Sequence, residues 1–209
     1  MEQLTVQGLV RLMGAGANLV CVVTDNERRT EAIVGQATAR LKGAGSPLVW
    51  TCTDGFTRDG TVVPGTVDPV AALDHALAHP APLMTLFKDL SWFWSDNPYV
   101  IRKLKEFAVR ARGKAAVVLA RDESVPAELR EDIVVLGQDL PGIGEITAFL
   151  EQLKEREPVL AVACAGHPGL MDHLVVAAQG LDLVDIARGV RALRNVPEAA
   201  GHEMVRSLF

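Results

Sequence analysis

The sequence predicts an α/β domain with a five-stranded parallel sheet, followed by a small helical subdomain. Five short apolar runs alternate with helical patterns up to residue 140, which is typical of parallel strands covered by helices on both faces. These runs are Leu19–Val23, Leu48–Cys52, Leu83–Lys88, Ala115–Ala120 and Ile133–Leu136. After Pro141 the helical patterns Ile143–Lys154, Gly169–Ala178 and Leu183–Leu193 remain. We therefore expect residues 1–140 to form the α/β domain and residues 141–209 a helical, lid-like subdomain.

Local signals mark where the helices and loops of the α/β domain should lie. Thr24, with Glu27 three residues later, has the spacing of a capping box, so a helix is predicted from Thr24 to about Lys42. Residues 53–67 (TDGFTRDGTVVPGTV) are rich in glycine and polar side chains and predict a loop. The other helix starts are predicted at Thr5, at Asp68 with Pro69, and at Asn97 with Pro98.

The composition excludes several classes of function. The 209 residues are 49% hydrophobic and have a formal net charge of −5, which gives no general affinity for nucleic acid or acidic membranes. The first residues do not resemble a signal peptide, and no apolar run approaches the roughly 18 residues of a membrane span. Cys21, Cys52 and Cys164 form no CxxC pair. We expect buried structural thiols in a cytoplasmic protein, with neither nucleic acid nor membrane as a partner.

The segment VVTDNERRTEAI, from Val22 to Ile33, joins the first strand directly to a polar helix. In nucleotide-binding α/β domains this junction holds a glycine-rich loop, whose backbone N–H groups surround the phosphates while a lysine reaches the terminal ones. Thr24 follows Val23 with no room for such a loop, and the pattern GxxxxGK[ST] occurs nowhere in the chain. We therefore predict no catalytic residues and no cofactor, and in particular no ATP with Mg²⁺.

Asp89 is the residue on which a residual nucleotide site could depend. It follows the third strand, where a carboxylate can hold Mg²⁺ through water, and Thr24 and Arg28 could complete such a site. Hydrolysis would also need an adjacent acid to orient water, and that position is Leu90. The simpler interpretation, which a single carboxylate favours, is a loop residue that caps or pairs locally.

Two further groups of residues are candidates for binding. Trp92, Phe93 and Trp94 are consecutive, so they cannot all point into the core. We expect at least two to pack inside, and an exposed member would suit a protein contact. His75 and His79 have the spacing of a metal-ligand pair on a helix, but no third ligand is evident nearby and we predict no metal site.

Five segments along nearly the whole chain resemble a known family. They are Thr24, Glu27 and Arg28 after the first strand, Pro47–Phe56 (PLVWTCTDGF), Phe87–Ala108 (FKDLSWFWSDNPYVIRKLKEFA), Ser124–Gly142 (SVPAELREDIVVLGQDLPG) and Ala177–Leu193 (AAQGLDLVDIARGVRAL). Their order resembles the AAA+ ATPase superfamily, in which five strands precede a helical lid. The likeness is greatest to the degenerate, amino-terminal ATPase-like domain of AAA proteins first seen in cyanobacterial and plastid genomes.

The resemblance carries expectations about architecture and partners. With five strands and a lid-like tail, we predict the sheet order 5-1-4-3-2, the strands being numbered along the chain. Proteins of that family typically pair such a domain with an intact ATPase domain, which implies an active AAA+ ATPase domain or a second copy of this chain as partner. A neighbour in such assemblies often lends an arginine, and Arg130 in PAELRED stands at about that position. The alternative for Arg130 is a solvated surface charge.

Two features depart from the family pattern. The chain ends at Phe209, where an intact ATPase domain would follow, so it is either a stand-alone relative or the front domain of a longer protein. The lid helix carries Asp182 and no arginine at its start, so the lid residue that senses the terminal phosphate is not evident.

Three hypotheses for the function follow. The first is a catalytically inactive AAA-like domain, a pseudoenzyme that serves as a scaffold or a regulatory protein-interaction module. The second is a weak nucleotide-binding or residual NTPase domain that uses Thr24, Arg28 and Asp89. The third is an unrelated α/β enzyme whose site the sequence does not reveal.

Overall fold

The computed structural model describes residues 2–95 and 97–192. The chain divides into two compact units, Met1–Asp139 and a second that begins at Leu140. Each unit has its own hydrophobic core.

The described residues of the first unit form a mixed sheet of eight strands. These are β1 (Glu2–Gln3), β2 (Leu19–Val23), β3 (Leu48–Thr51), β4 (Gly55–Arg58), β5 (Thr61–Val62), β6 (Leu83–Phe87), β7 (Lys114–Ala120) and β8 (Val134–Gly137). Their order in the sheet is β1-β8-β2-β7-β6-β3-β4-β5. In this order, every pair of neighbouring strands between β1 at one edge and β3 is parallel. Strand β4 pairs antiparallel with both of its neighbours, β3 and β5.

The prediction of a sheet with only five strands, all of them parallel, is wrong, because the sheet has eight strands and two antiparallel pairings. Within this larger sheet the five predicted strands follow one another as 5-1-4-3-2. The predicted apolar runs supply the interior strands β8, β2, β7, β6 and β3, but three short strands extend the sheet at its edges. Strand β1 and the β4–β5 hairpin carry polar or exposed residues, so they lack the continuous apolar run by which a buried strand is detected.

Helices cover both faces of this sheet. The first face carries α1 (Val6–Gly14) and α2 (Glu27–Ala39), and the second carries α3 (Pro69–Ala78) and α4 (Pro98–Arg110). Successive residues of a strand point to opposite faces. Accordingly, Val20 and Val22 join the core beneath α1 and α2, while Leu19 and Cys21 join the core beneath α3 and α4.

The helix starts agree with the sequence at three sites and differ at one. The side chains of Thr5, Asp68 and Asn97 accept hydrogen bonds from first-turn amides, as predicted. For α2, however, the N-cap is Asn26, whose side-chain oxygen accepts from the N–H of Arg29 at 3.0 Å. The predicted capping role of Thr24 is wrong. Asn26 is the residue directly before the helix, so its side chain is closer than that of Thr24 to the first-turn amides.

Residues 53–67, predicted as a loop, contain the β4–β5 hairpin. Two contacts with Thr66 close this segment on itself. The indole N–H of Trp50 donates to the carbonyl oxygen of Thr66 at 2.7 Å inside the core. Gly55 has a positive φ of 72°, and a Cβ at this position would lie 2.7 Å from the Thr66 backbone. Glycine is therefore required where the hairpin begins.

The described residues of the second unit, 140–192, form helices joined by short turns, with no strand among them. It contains α5 (Ile143–Arg156), α6 (Pro158–Gly166), α7 (Leu170–Ala177) and α8 (Leu183–Ala192). Helix α6 was not predicted, because its uniformly apolar sequence PVLAVACAG shows no helical period. The predicted end of the last helix at Leu193 lies outside the described residues. At the start of α6, the buried carboxylate of Glu157 accepts a hydrogen bond from Arg191 of α8 at 3.2 Å.

Within the described ranges, no single helix has the length and apolar character that crossing a membrane requires. Helices α6 and α7 reach that length only as a pair, with a bend of 119° between them.

Candidate functional site

The carboxyl ends of the parallel strands form the edge where a nucleotide site would be expected. In open α/β sheets, ligands bind at this edge. Here Thr24 follows β2, Asp89 follows β6 by two residues, and Gln138 follows β8. Strand β7 lies between β2 and β6, so Thr24 and Asp89 belong to strands that are not adjacent.

The junction between β2 and α2 consists of Thr24, Asp25 and Asn26. The hydroxyl oxygen of Thr24 accepts from the N–H of Asn26 at 2.9 Å, and Asn26 in turn accepts from Arg29. These side chains satisfy backbone N–H groups that a phosphate loop would turn toward a ligand. Glu27 adds a negative charge in the first turn of α2, which opposes the binding of another anion there.

The side chain of Gln138 closes this junction from the end of β8. Its Oε1 accepts from the hydroxyl of Thr24 at 2.6 Å and from the hydroxyl of Thr30 at 3.0 Å. Its backbone N–H donates to the carbonyl oxygen of Val23 at 3.2 Å. We call Thr24, Thr30 and Gln138 the Gln138 latch. Within the described residues, Nε2 of Gln138 is buried without a hydrogen-bond partner.

The residue after the latch is also fixed to this edge. The N–H of Asp139 donates to Oε1 of Gln3 at 3.0 Å, and its carbonyl oxygen accepts from the guanidinium of Arg29. The backbone of residues 138 and 139 is thereby held beside the start of α2.

Lys88 is the cation directly after β6, and two acidic side chains of α2 lie close to it. Its Nζ lies 2.8 Å from a carboxylate oxygen of Glu31 and 3.8 Å from one of Glu27. A lysine that is already paired with two carboxylates attracts a phosphate less strongly than an unpaired lysine would. Arg28 is exposed on the first turn of α2.

The carboxylate of Asp89 caps a neighbouring turn. Its Oδ2 accepts from the backbone N–H of Cys52 at 2.9 Å. Partial desolvation by its neighbours, and then the charge of Asp89, raise the pKa of the exposed Cys52 thiol. No group of three or more His, Cys, Asp or Glu side chains in the described part of the chain is arranged to hold a metal ion.

The consecutive aromatic residues divide between the core and the surface. Trp94 is buried, and Phe93 packs edge-on against Trp50 with ring centroids 6.0 Å apart. Trp92 is 68% exposed, and the guanidinium carbon of Arg121 lies 5.5 Å from its ring centroid. Trp92 and Trp94 both line a cavity of about 200 Å³ next to the end of β7.

Arg130 lies beside a second, larger cavity. It is exposed and follows the short 3-10 helix Ala127–Leu129. The cavity has a volume of about 360 Å³, with Glu123 and Arg130 as its charged residues. The apolar lining consists of Val125, Ile133 and Val135.

His75 and His79 make contacts other than a metal site. The ring centroids of the two histidines are 6.3 Å apart, and His75 also lies 6.0 Å from the ring of Phe56. Nε2 of His79 is 3.2 Å from Nη1 of Arg58, and its Nδ1 is 2.8 Å from the carbonyl oxygen of Pro80. Both ring nitrogens of His79 are therefore engaged.

Of the three cysteines, Cys21 is buried, Cys164 is half-buried and Cys52 is exposed. The expectation of buried thiols is wrong for Cys52, because the sheet strand ends at Thr51 and the next residue already belongs to the turn.

The residues that shape the junction most strongly were missed by the sequence analysis. No sequence pattern assigned a role to Gln138 or Thr30, and Gln138 is 114 positions from Thr24. A polar residue directly after a buried strand was the available signal, since such residues gather at the carboxyl edge of a parallel sheet.

The fold and this edge define a doubly wound α/β domain of the AAA type, in which the phosphate loop is replaced by a short capped junction. A family model described as SpoVK-like AAA ATPase, N-terminal domain, matches residues 5–137, and the chain belongs to this family. The resemblance that the sequence showed to the amino-terminal domain of plastid-type AAA proteins is thereby confirmed.

Two curated relatives have the same description, "Uncharacterized AAA domain-containing protein ycf46". The protein from Guillardia theta is 36% identical over 109 residues, which cover 51% of this chain and 20% of the relative. The protein from Trieres chinensis is 32% identical over 125 residues, which cover 58% of this chain and 24% of the relative. The matched region thus spans a quarter or less of each relative's length.

Proposed function

We propose that this chain is a catalytically inactive AAA-type domain that serves as a scaffold or regulatory protein-interaction module, within or beside an AAA+ ATPase assembly. The observation that carries the proposal is the Gln138 latch. The side-chain oxygen of Gln138 bonds to the hydroxyls of Thr24 and Thr30 at the start of α2, where an active domain would hold phosphate.

The energetics of phosphate binding support this proposal. A phosphate site draws most of its stabilisation from a cradle of backbone N–H groups and a lysine. In this domain the backbone N–H of Asn26 bonds to the side chain of Thr24, and that of Arg29 in the first turn of α2 bonds to the side chain of Asn26. A nucleotide would have to break those bonds, displace Gln138 and approach the carboxylate of Glu27.

The relatives support the second half of the proposal. They are described as AAA domain-containing proteins, and the matched region is a quarter or less of their length. A domain of this family therefore occurs beside additional chain in its relatives. We propose an intact AAA+ ATPase domain as the partner, and a second copy of this chain as the alternative partner. Helices α5–α8 would serve as the lid-like part.

The proposal of inactivity is tested by isothermal titration calorimetry with ATP and Mg²⁺. We expect no dissociation constant below about 10 μM, which corresponds to about −7 kcal/mol. Tighter binding would support the alternative of a weak nucleotide site formed by Thr24, Arg28 and Asp89. An intact AAA+ ATPase domain titrated under the same conditions shows that the nucleotide and the buffer permit binding.

Hydrolysis is tested separately with Asp89→Ala. We expect background ATPase rates for both wild type and variant, because the residue after Asp89 is Leu90 and offers no carboxylate to orient water. A reproducible rate that disappears in Asp89→Ala would contradict the proposed inactivity.

A further inference from the structure

The cavity of about 360 Å³ beside β8 has a lining that the proposed function does not use. Its apolar part consists of Val125 and Ile133, which are buried, and Val135 of β8, which is half-buried. Its two charged residues, Glu123 and Arg130, have opposite signs. An apolar lining with a small number of polar groups is the usual composition of a site for a small molecule.

The two charges that line this cavity do not pair with each other. Both side chains are exposed. Among the described residues, no ion pair or side-chain hydrogen bond includes the carboxylate of Glu123 or the guanidinium of Arg130. Opposite charges that face one cavity without closing on each other can each attract a complementary charge of a third molecule.

The wall that carries Arg130 is fixed to α4. Nζ of Lys105 lies 3.2 Å from a carboxylate oxygen of Asp132 and donates to the carbonyl oxygen of Glu128. Leu129 lies between these two residues in the chain and is fully buried. The backbone on both sides of Arg130 is therefore anchored, and the charge of Asp132 is already paired with a lysine.

We propose that this cavity binds a small zwitterion with an apolar side chain, of the class of the branched aliphatic amino acids. Its carboxylate accepts from the guanidinium of Arg130, which presents its N–H donors in a planar fork. Its ammonium group pairs with the carboxylate of Glu123, and its side chain packs against the three apolar residues of the lining. The site goes beyond the proposed function, because it needs neither a nucleotide nor a protein partner.

The size and the burial of the lining favour a small molecule over a protein segment or a nucleotide. Small-molecule pockets have volumes of roughly 300–1,000 Å³, and this cavity lies near the lower end of that range. An anchor site for a protein presents exposed apolar side chains within a larger interface, whereas Val125 and Ile133 are only 7% and 8% exposed. The carboxylate of Glu123 would also repel the phosphates of a nucleotide.

The site is tested by isothermal titration calorimetry with L-leucine and three analogues. We expect saturable binding of L-leucine with a dissociation constant of about 1 mM or lower. Isocaproate lacks the ammonium group and isoamylamine lacks the carboxylate, so each should bind at least about tenfold more weakly. Glycine keeps both charges but has no side chain, and it should also bind more weakly than L-leucine.

Two variants assign the charges of the ligand to residues of the cavity. In Arg130→Gln the preference for L-leucine over isoamylamine should disappear, because the carboxylate has lost its partner. In Glu123→Gln the preference for L-leucine over isocaproate should disappear for the corresponding reason. Arg112→Gln and Glu131→Gln are the matched controls, since both residues are exposed and neither lines the cavity. Both controls should bind L-leucine as wild type does.

Three results would overturn the site. They are the absence of saturable L-leucine binding to wild type, equal binding of L-leucine and the two singly charged analogues, and unchanged preferences in both cavity variants. If L-leucine did not bind while Arg130→Gln and Glu123→Gln both weakened association with an intact AAA+ ATPase domain, the cavity would be a protein contact instead. Tight binding of MgATP would contradict the proposed inactivity and leave the L-leucine result unaffected.

Discussion

Thr24 donates its hydroxyl proton to the side-chain oxygen of Gln138 across 2.6 Å, which links the end of β2 to the end of β8. Thr30 donates to the same oxygen from the first turns of α2. One glutamine thus holds together three elements at the edge where open α/β sheets bind their ligands.

The latch should contribute to stability without concealing a nucleotide site. Gln138→Ala removes the acceptor of the Thr24 hydroxyl and leaves the Thr30 hydroxyl only the carbonyl oxygen of Asn26, so we expect the free energy of unfolding to fall by about 1–3 kcal/mol. Urea denaturation followed by tryptophan fluorescence measures this change in the first unit, because Trp50, Trp92 and Trp94 all lie there. In calorimetry, the variant should still fail to bind MgATP tightly.

An exposed glutamine of α2 provides the control for the latch. Gln36→Ala should change the free energy of unfolding by no more than about 0.5 kcal/mol, which is usual for surface substitutions. If Gln138→Ala were as stable as Gln36→Ala, the latch would not stabilise the domain. If it bound MgATP tightly, Gln138 would be an inhibitor of a functional site.

The three thiols should differ in their reaction with alkylating reagents. Burial, with a smaller effect from Asp122, raises the pKa of Cys21 to about 12, so its reactive thiolate is almost absent at about pH 8. Cys52 is exposed and should be modified first, as measured by peptide mass spectrometry over time. Asp89→Asn removes a charge that raises the pKa of Cys52, so Cys52 should react faster in that variant.

Denaturant provides the reference state for this experiment. In about 8 M urea, where small domains are generally unfolded, all three cysteines should react at similar rates. Native Cys21 reacting as fast as native Cys52 would contradict the burial of β2.

The sequence predicted the elements whose signal is local and missed those that depend on distant contacts. The interior strands were found because each is a continuous apolar run, and Asp68 and Asn97 were found because a cap lies next to its helix. The β4–β5 hairpin was missed because the hydrogen bond that closes it, between Trp50 and Thr66, is not predicted by any local pattern.

The candidate site shows the same limit. The absence of a phosphate loop was evident from the residues between Val23 and Asn26 alone. What occupies the junction instead was not, because Gln138 reaches it from a strand that is far away in sequence but adjacent in the sheet. Asp89 was identified as a candidate from its place after a strand, whereas its bond to Cys52 depends on the neighbouring strand β3.

Substitution of Trp92 and of Trp94 should distinguish a residue that serves protein contact from one that packs in the core. Trp94→Ala removes a buried ring and should lower the free energy of unfolding by about 3–5 kcal/mol. Trp92→Ala should change it by less than about 1 kcal/mol, because the ring is largely exposed and its contact with Arg121 is a surface cation–π pair. The measurement is urea denaturation of both variants.

The exposed ring of Trp92 should instead matter for association. Sedimentation velocity of the chain alone, and of the chain mixed with an intact AAA+ ATPase domain, should show weaker complexes for Trp92→Ala. Arg121→Ala tests the other half of the pair and should weaken the same complexes. Equal association of wild type and Trp92→Ala would exclude the aromatic segment Trp92–Trp94 as the contact surface.

Arg130 should act on a partner's active site and not on this chain's own stability. It is exposed beside a cavity at the end of the segment that follows β7. A guanidinium stays charged and can grip a phosphate bidentately. Arg130→Ala should leave the free energy of unfolding within about 0.5 kcal/mol of wild type. It should reduce the stimulation that this chain gives to the ATPase rate of the proposed AAA+ partner domain.

The design of that experiment must distinguish a donated arginine from general surface charge. Arg112→Ala removes an exposed arginine elsewhere on the first unit and should leave the stimulation unchanged. Binding is measured in parallel by sedimentation, since a donated arginine acts on the rate more than on the affinity. If wild type, Arg130→Ala and Arg112→Ala stimulate equally, Arg130 is a solvated surface charge. If none of them binds the ATPase, the proposed partner is wrong as well.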